Sequence, residues 1–351
     1  MARSLIARSL TGRRITPADL RHDGNSFTVL RWILASSVMI SHAWDLTQYA
    51  RGLDPTVAII GFPISRLAVF LFFTLSGFLV TGSLYKRGVK AFLLARGLRL
   101  LPGLWVMLLV VPPVLWAAFG TIPFGDFIAS PLTHRFVWRN ALLLGQAYAL
   151  PGLFELHSVA GVANGSLWTI PQEVRCYLLL AGAALIGLTQ PRARITVVLL
   201  VFIAVQLAFP EYPVLRTLRR LAFSFGLGVL AWLWRDRLLL SWPLAIVLAG
   251  VALAVPADAA LKLPLSQIGF GYLAIVAGFC VPAAVKAFSA YIPDYSYGIY
   301  IYAFPAQQAA AAMGETAPLA NLALAFAMTV PAAALSWHFI EKPALRLKPA
   351  G

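Results

Sequence analysis

An all-α bundle of about ten membrane-spanning helices is the fold this sequence predicts, and three observations predict it. Sixty per cent of the 351 residues are hydrophobic and 12% are charged, against roughly 25% charged in a soluble globular chain. The mean hydropathy is +0.80. The apolar stretches recur along the whole length instead of forming one core, each near the roughly 20 residues a spanning helix needs. In hydrocarbon only helices and closed barrels satisfy their backbone, and the strict alternation of a barrel is absent.

The elements follow in chain order. A basic segment, 1–26, carries Arg3, Arg8, Arg13, Arg14 and Arg21 and precedes the first span, 27–46. No small-residue cleavage pattern follows that span, so it stays as a helix, and Arg13-Arg14 lies too far from it for a twin-arginine signal. Spans 66–83 and 101–119 come next, separated by the cluster Lys86, Arg87, Lys90, Arg96 and Arg99. The one long connection, 120–165, is punctuated by Pro123, Gly125, Pro131, Pro151 and Gly152, which mark turns. Its Phe127, Phe136, Trp138, Tyr148 and Phe154 predict a structured external cap with a short or re-entrant helix. Spans 166–187, 194–209, 217–234, 238–255, 265–285, 295–313 and 318–340 complete the set.

An even number of spans puts both termini on one side. With the N-terminus cytoplasmic, the inner segments hold about eighteen Lys/Arg and the outer about eight, as the positive-inside rule requires. Arg216, Arg219 and Arg220 are the main exception, at an outer edge. The net charge of +15 is spread through such connections; no contiguous basic domain offers a nucleic-acid footprint. Cys176 and Cys280 lie in apolar runs without metal-ligand spacing and read as small buried residues. No metal site is apparent. The chain divides into a cytoplasmic basic segment 1–26, a membrane domain 27–343 and a cytoplasmic tail 344–351.

Ionisable groups inside spans are costly and are functional candidates by default. Arg31 and His42 stand eleven residues apart in the first span. That spacing is almost three turns, so they share a face and are separated by roughly 16 Å along the axis. The competing reading is a snorkelling arginine and a structural histidine. Glu173 lies seven residues into the fourth span, at a depth similar to that of His42. A carboxylate and an imidazole at one depth can act as orienter and base; Asp45, three residues after His42, is the alternative partner. Arg96 and Arg99 read as topogenic charge or, with Arg31, as an anion clamp, since arginine forks bind phosphate bidentately.

Six stretches in order carry a family resemblance. Arg31, ten residues and His42 form the first; Phe70-Leu71-Phe72-Phe73-Thr74-Leu75-Ser76-Gly77-Phe78 is the second. Arg96-Gly97-Leu98-Arg99 with Pro102, and Asn164-Gly165-Ser166-Leu167-Trp168-Thr169 ending at Glu173, follow. Ser296-Tyr297-Gly298-Ile299-Tyr300 and Phe339-Ile340-Glu341-Lys342-Pro343 close the series. Together they resemble acyltransferase family 3, the membrane O-acyltransferases of bacterial glycans. One departure is Ala303 before Phe304-Pro305, where many members have a histidine.

The resemblance implies a multi-pass enzyme of the bacterial inner membrane. It would transfer an acyl group, most often acetyl, from acyl-CoA (acetyl-CoA) to a hydroxyl of a sugar or glycan. On this reading His42 is the general base, with Glu173 or Asp45 orienting it. Arg31, Arg96, Arg99 and Ser76 are expected on the donor, and Trp168, Asn164 and Tyr297 on the acceptor. Ser76 as an acylated nucleophile is the less favoured role, because Ser-Gly within a span is more often a packing site. A glycan or acyl-intermediate transporter and a non-catalytic scaffold in glycan assembly are the alternative functions.

Overall fold

The computed structural model describes residues 12–47, 54–145, 147–209 and 216–348, and is all-α apart from one two-residue strand pair. Arg3, Arg8 and the tail residues 349–351 lie outside the described residues. Each of the ten expected segments is helical. They are α1 (Phe27–Leu46), the two arms of α3 (Ile64–Phe119), α6 (Thr169–Leu185), α7 (Arg192–Ala208) and α8 (Arg216–Leu233). Then come α9 (Trp242–Ala254), α10 (Lys262–Phe279), α12 (Ser296–Ala312) and α13 (Pro318–Ser336). The short helices α2 (Thr56–Ile60), α4 (Phe124–Ala129), α5 (Pro131–Ala141), α11 (Ala283–Tyr291) and α14 (Lys342–Arg346) fill the connections. Among the described residues, α3 and the run Pro318–Arg346 are long and apolar enough to cross a membrane. The pair α10 and α11, bent by 89°, makes a third if it is one span.

Three details depart from the expected layout. The basic stretch between the second and third segments is helical, because its Lys, Arg and Leu are good helix formers. Gly88 alone breaks it, at φ 74° and ψ 170°, a conformation open to glycine and strained for other residues. Arg13–Arg14 pairs as an antiparallel strand, β1, with Leu239–Leu240, β2. The aromatic residues of 120–165 are mostly packing: Phe127 and Phe136 are fully buried, and Trp116 packs on Phe127 and Phe119 on Phe154. Phe124 and Trp138 are the exposed exceptions.

The first arm of α3 and α8 run side by side in the same direction, with Gly77 against Phe225 and Gly82 against Trp232. A Cβ on Gly228 would lie 2.0 Å from the Thr74 carbonyl oxygen, and one on Gly77 2.1 Å from the Phe225 carbonyl oxygen, so at each contact a glycine of one helix lets the backbone of the other approach. Close approach through small residues is how helices pack without a strong hydrophobic drive between them. Gln267 of α10 donates to Arg220 O and Ser224 Oγ, both at 2.7 Å, and pins α8 from its other side. Lys262 is buried because its ammonium caps the end of α9, donating to the carbonyls of Ala252, Leu253 and Val255. α12 packs on α13 with Gly298 against Ala333, and on α1 through Ala35, Met39 and Ala303.

Candidate active site

Residues of α1, α3, α6, α8 and α12 line two adjoining cavities. The first, about 100 Å³, is lined by Arg31, Ser76, Arg96, Arg99, Glu173, Tyr177 and Tyr297 among others. The second, about 500 Å³, is lined by His42, Asp45, Ser65, Arg66, Trp168, Arg216 and Arg220. Val69 and Tyr300 line both, so one wall separates them. Arg31 and His42, on one face of α1, thus line different, adjoining cavities.

The three arginines of the first cavity are not equivalent. Asp294, just before α12, takes Arg31 Nη1 at 2.5 Å and Arg99 Nη2 at 2.9 Å on one carboxylate oxygen, while its other accepts from Ser296 Oγ at 2.6 Å. Arg99 also donates to Glu341 at 2.8 Å, and its guanidinium lies 5.7 Å from the Tyr297 ring and 5.5 Å from the Trp337 ring. Glu341 reaches inward because the chain forms a π turn over Trp337–Glu341. A clamp of three free guanidinium groups is therefore not what the fold offers: Arg31 and Arg99 are neutralised by carboxylates. Arg96 differs. Its Nε is buried without a partner, and it makes no ion pair among the described residues.

Glu173 accepts from Ser76 Oγ at 3.2 Å and from the Tyr177 hydroxyl one turn later on α6, and the Ser76 and Tyr177 oxygens are 3.2 Å apart. It makes no hydrogen bond to His42 and lines the other cavity, so the similar depth along two helices does not make them neighbours. His42 instead has its ring edge-on to Phe304, 5.4 Å between centroids, and its Nδ1 is buried without a partner. Gly165 supports Phe304, since a Cβ there would lie 2.7 Å from that ring. Ala303 is a buried packing residue in the cluster of Ala35 and Met39.

The carboxylate whose charge acts on His42 is Asp54. It is buried at 4% exposure, in the connection after α1. Burial works against its charge, but Ser41 Oγ at 2.6 Å and the Thr56 hydroxyl and N–H at 2.6 and 2.9 Å hold its carboxyl below the usual range. Asp45 lines the His42 cavity as expected from its spacing. Of the remaining candidates, Trp168 lines that cavity and Tyr297 the other. Asn164 is fully buried: it accepts from Ser166 N–H at 3.1 Å and donates to Ile301 O at 2.9 Å, which fixes the turn leading into α6.

With this geometry in hand, comparison with known proteins is decisive at the family level. The acyltransferase domain of family 3 matches residues 25–340. The chain belongs to acyltransferase family 3. It is an acyltransferase. An O-acetyl transferase of Shigella phage Sf6 is 28% identical over 344 residues, covering 92% of this chain and 96% of that protein. Nodulation protein 10 of Rhizobium leguminosarum bv. viciae is 28% identical over 351 residues, covering 92% and 94%. No solved structure matches the chain.

Asp54, Asp294, Arg66 and Tyr177 of the candidate site are not among the residues the sequence singles out. The signal was scarcity. The chain has thirteen Asp and Glu in all, so each acid near an apolar run was worth asking about, and Asp294 stands two residues before the Ser296-Tyr297 motif. Arg66 opens the second span and reads as an ordinary edge charge until α8 is set beside it.

Proposed function

We propose that this acyltransferase is an O-acyltransferase of the bacterial inner membrane. In our reading about ten helices span the bilayer, with both termini cytoplasmic. It moves an acetyl group from cytoplasmic acetyl-CoA to a sugar hydroxyl of a glycan or lipid-linked oligosaccharide. The observation that carries this reading is the pair of adjoining cavities, one with an uncompensated arginine and the other with an unpartnered histidine. The name of one relative, an O-acetyl transferase, supports acetyl as the group and oxygen as the atom that receives it.

The Arg96 cavity suits the donor. Lys348 is held down to about 8 by burial and by the nearby positive charges of Arg96, Arg99 and Arg87. Cations crowded against one another in this way gain from a polyphosphate. The pantetheine arm is about as long as the roughly 16 Å between Arg31 and His42 along α1. The acceptor occupies the His42 cavity. Its hydroxyl oxygen attacks the thioester carbonyl carbon as its proton passes to the neutral His42 ring. The carbon–sulfur bond then breaks, and the proton is returned to the CoA thiolate. Asp54, with Asp45 in the same cavity, stabilises the transient imidazolium. Ser76, Tyr177 and Glu173 border the donor's acyl end, where a hydroxyl can polarise the carbonyl.

The test is transfer of label from acetyl-CoA by the purified full-length protein to glycan extracts. His42→Ala is expected to lower the rate by about 10²–10⁴ with the fold retained. Transfer at the wild-type rate would remove the base assignment.

A further inference from the structure

Among the described residues, Val69 of α3 and Tyr300 of α12 are the two that line both cavities. Both are stiff. Val69 is buried, and a β-branched side chain in a helix keeps essentially one rotamer. The Tyr300 hydroxyl donates to Ser166 O at 3.0 Å and lies 2.8 Å from Thr169 Oγ1, from which it can accept. Ser166 and Thr169 are themselves buried, and Asn164 braces the same turn by accepting from Ser166 N–H and donating to Ile301 O, the residue after Tyr300. Phe72, three residues after Val69, lies edge-on to the Tyr300 ring at 6.3 Å between centroids. The ring is pinned at its hydroxyl and along one side, so the boundary between the cavities has two unyielding sides. The cavity on the Arg96 side, about 100 Å³, is much the smaller of the two, and Phe72, Phe73 and Ile170 give it apolar walls.

We propose that Val69 and Tyr300 form the aperture at which the acyl group is presented to the acceptor, and that Tyr300 sets the length of acyl chain the enzyme transfers. This rests on the function proposed above, with the donor in the Arg96 cavity and the acceptor in the His42 cavity. A thioester carbonyl brought from one cavity and a hydroxyl held by His42 in the other meet at the boundary the cavities share. The acyl group therefore touches the residues of that boundary. Ser76 follows Val69 by two turns on the same face of α3, on the donor side of the aperture. An acetyl group fits between two stiff walls. Each further methylene has to displace a side chain with no free rotamer or fold back into the smaller cavity. One methylene in a close-fitting pocket is worth about 10–200-fold in kcat/KM. Tyr300 is thus a specificity residue that contacts the acyl group, separate from the base.

The experiment titrates full-length protein in nanodiscs with coenzyme A, acetyl-CoA and butyryl-CoA and follows the heat of binding. Wild type is expected to bind coenzyme A and acetyl-CoA with similar Kd and butyryl-CoA about ten-fold or more weakly. In Tyr300→Ala butyryl-CoA comes to within about three-fold of acetyl-CoA, since the wall is gone. Tyr300→Phe keeps the ring, loses both hydroxyl contacts and falls between the two. Coenzyme A carries no acyl group, so equal binding of it shows that a variant is folded. Where Tyr300→Ala fails that check, Val69→Ala decides in its place and is expected to relax the discrimination in the same direction. A wild type that does not distinguish the two acyl-CoAs, or an unchanged ratio in the folded variants, overturns the proposal and leaves the donor reading standing. A wild type that binds none of the three ligands removes the donor reading and the aperture with it. A second arm measures label transfer from acetyl-CoA and butyryl-CoA to glycan extracts. The ratio of the two kcat/KM values is expected to fall by about ten-fold or more in Tyr300→Ala, and an unchanged ratio overturns the proposal. If no glycan is labelled, the transfer reading fails while the binding ratios still judge the aperture.

Discussion

At the residue scale, chemistry at this site depends on which charges are already spent. Arg31, Arg96 and Arg99 look alike in sequence, yet Asp294 and Glu341 engage two of them and leave Arg96. Their substitutions should therefore separate. Arg96→Ala is expected to raise KM for acetyl-CoA by about ten- to a hundred-fold, the worth of one charge-assisted phosphate contact, with little change in thermal stability. Arg99→Ala leaves Asp294 and Glu341 facing each other in a buried site and is expected to cost about 3–5 kcal/mol, read as a fall in the unfolding midpoint. Equal effects of the two on KM would show that Arg99 binds donor despite its ion pairs. His42 follows the same logic in reverse, its unpartnered Nδ1 being the atom with spare capacity.

At the element scale, the site exists because α3 and α8 touch backbone to backbone. The two helices bring Arg66 and Arg220 to one cavity and hold the α3 face that carries Ser76 towards α6. Gly228→Val would drive its side chain into the Thr74 carbonyl, 2.0 Å from where a Cβ must sit. Helices locked this tightly have no rotamer escape, so the variant is expected to lose folded yield and, in what folds, activity at both cavities. Size-exclusion profile and label transfer measure the two effects; a well-behaved, fully active Gly228→Val would show that the contact is looser than described. The π turn at Trp337–Glu341 belongs to the same scale, since it turns a carboxylate inward to meet Arg99.

At the scale of the whole molecule, the chain before α1 is stapled to the region around α10 and α11. Arg13 meets Asp19 through two hydrogen bonds of 2.7 and 2.9 Å and donates to Phe279 O at 2.7 Å. Lys286 of α11 lies 3.6 Å from the same carboxylate. Burial opposes the Asp19 charge, yet Arg13 and Thr16 outweigh it and hold the group at about 2. Its folded value is thus below its unfolded one near 3.9. The stabilisation is complete above the unfolded value and is lost as pH falls from about 4 to about 2. Asp19→Asn is expected to cost about 1 kcal/mol at pH 7, after allowing for water around Arg13. The gap between the two thermal midpoints should close towards pH 2, and a constant gap would place the effect elsewhere.

The sequence by itself determined that the chain is all-α, where its main helical segments lie, and that its motifs are those of an acyltransferase family. Those properties follow from local apolar runs and from residue order, both of which are written along the chain. Helical periodicity was enough to put Arg31 and His42 on one face, because one helix carries both. Tertiary structure decided which charges are neutralised and which residues share a cavity. Glu173 went to Ser76 and Tyr177, His42 came to line a cavity with Arg66 and Trp168, and Asp294 joined Arg31 to Arg99 across 263 and 195 residues. Depth along a helix is a one-dimensional quantity, whereas contact depends on the rotation and neighbours of each helix. Those were set here by where small residues let backbones approach.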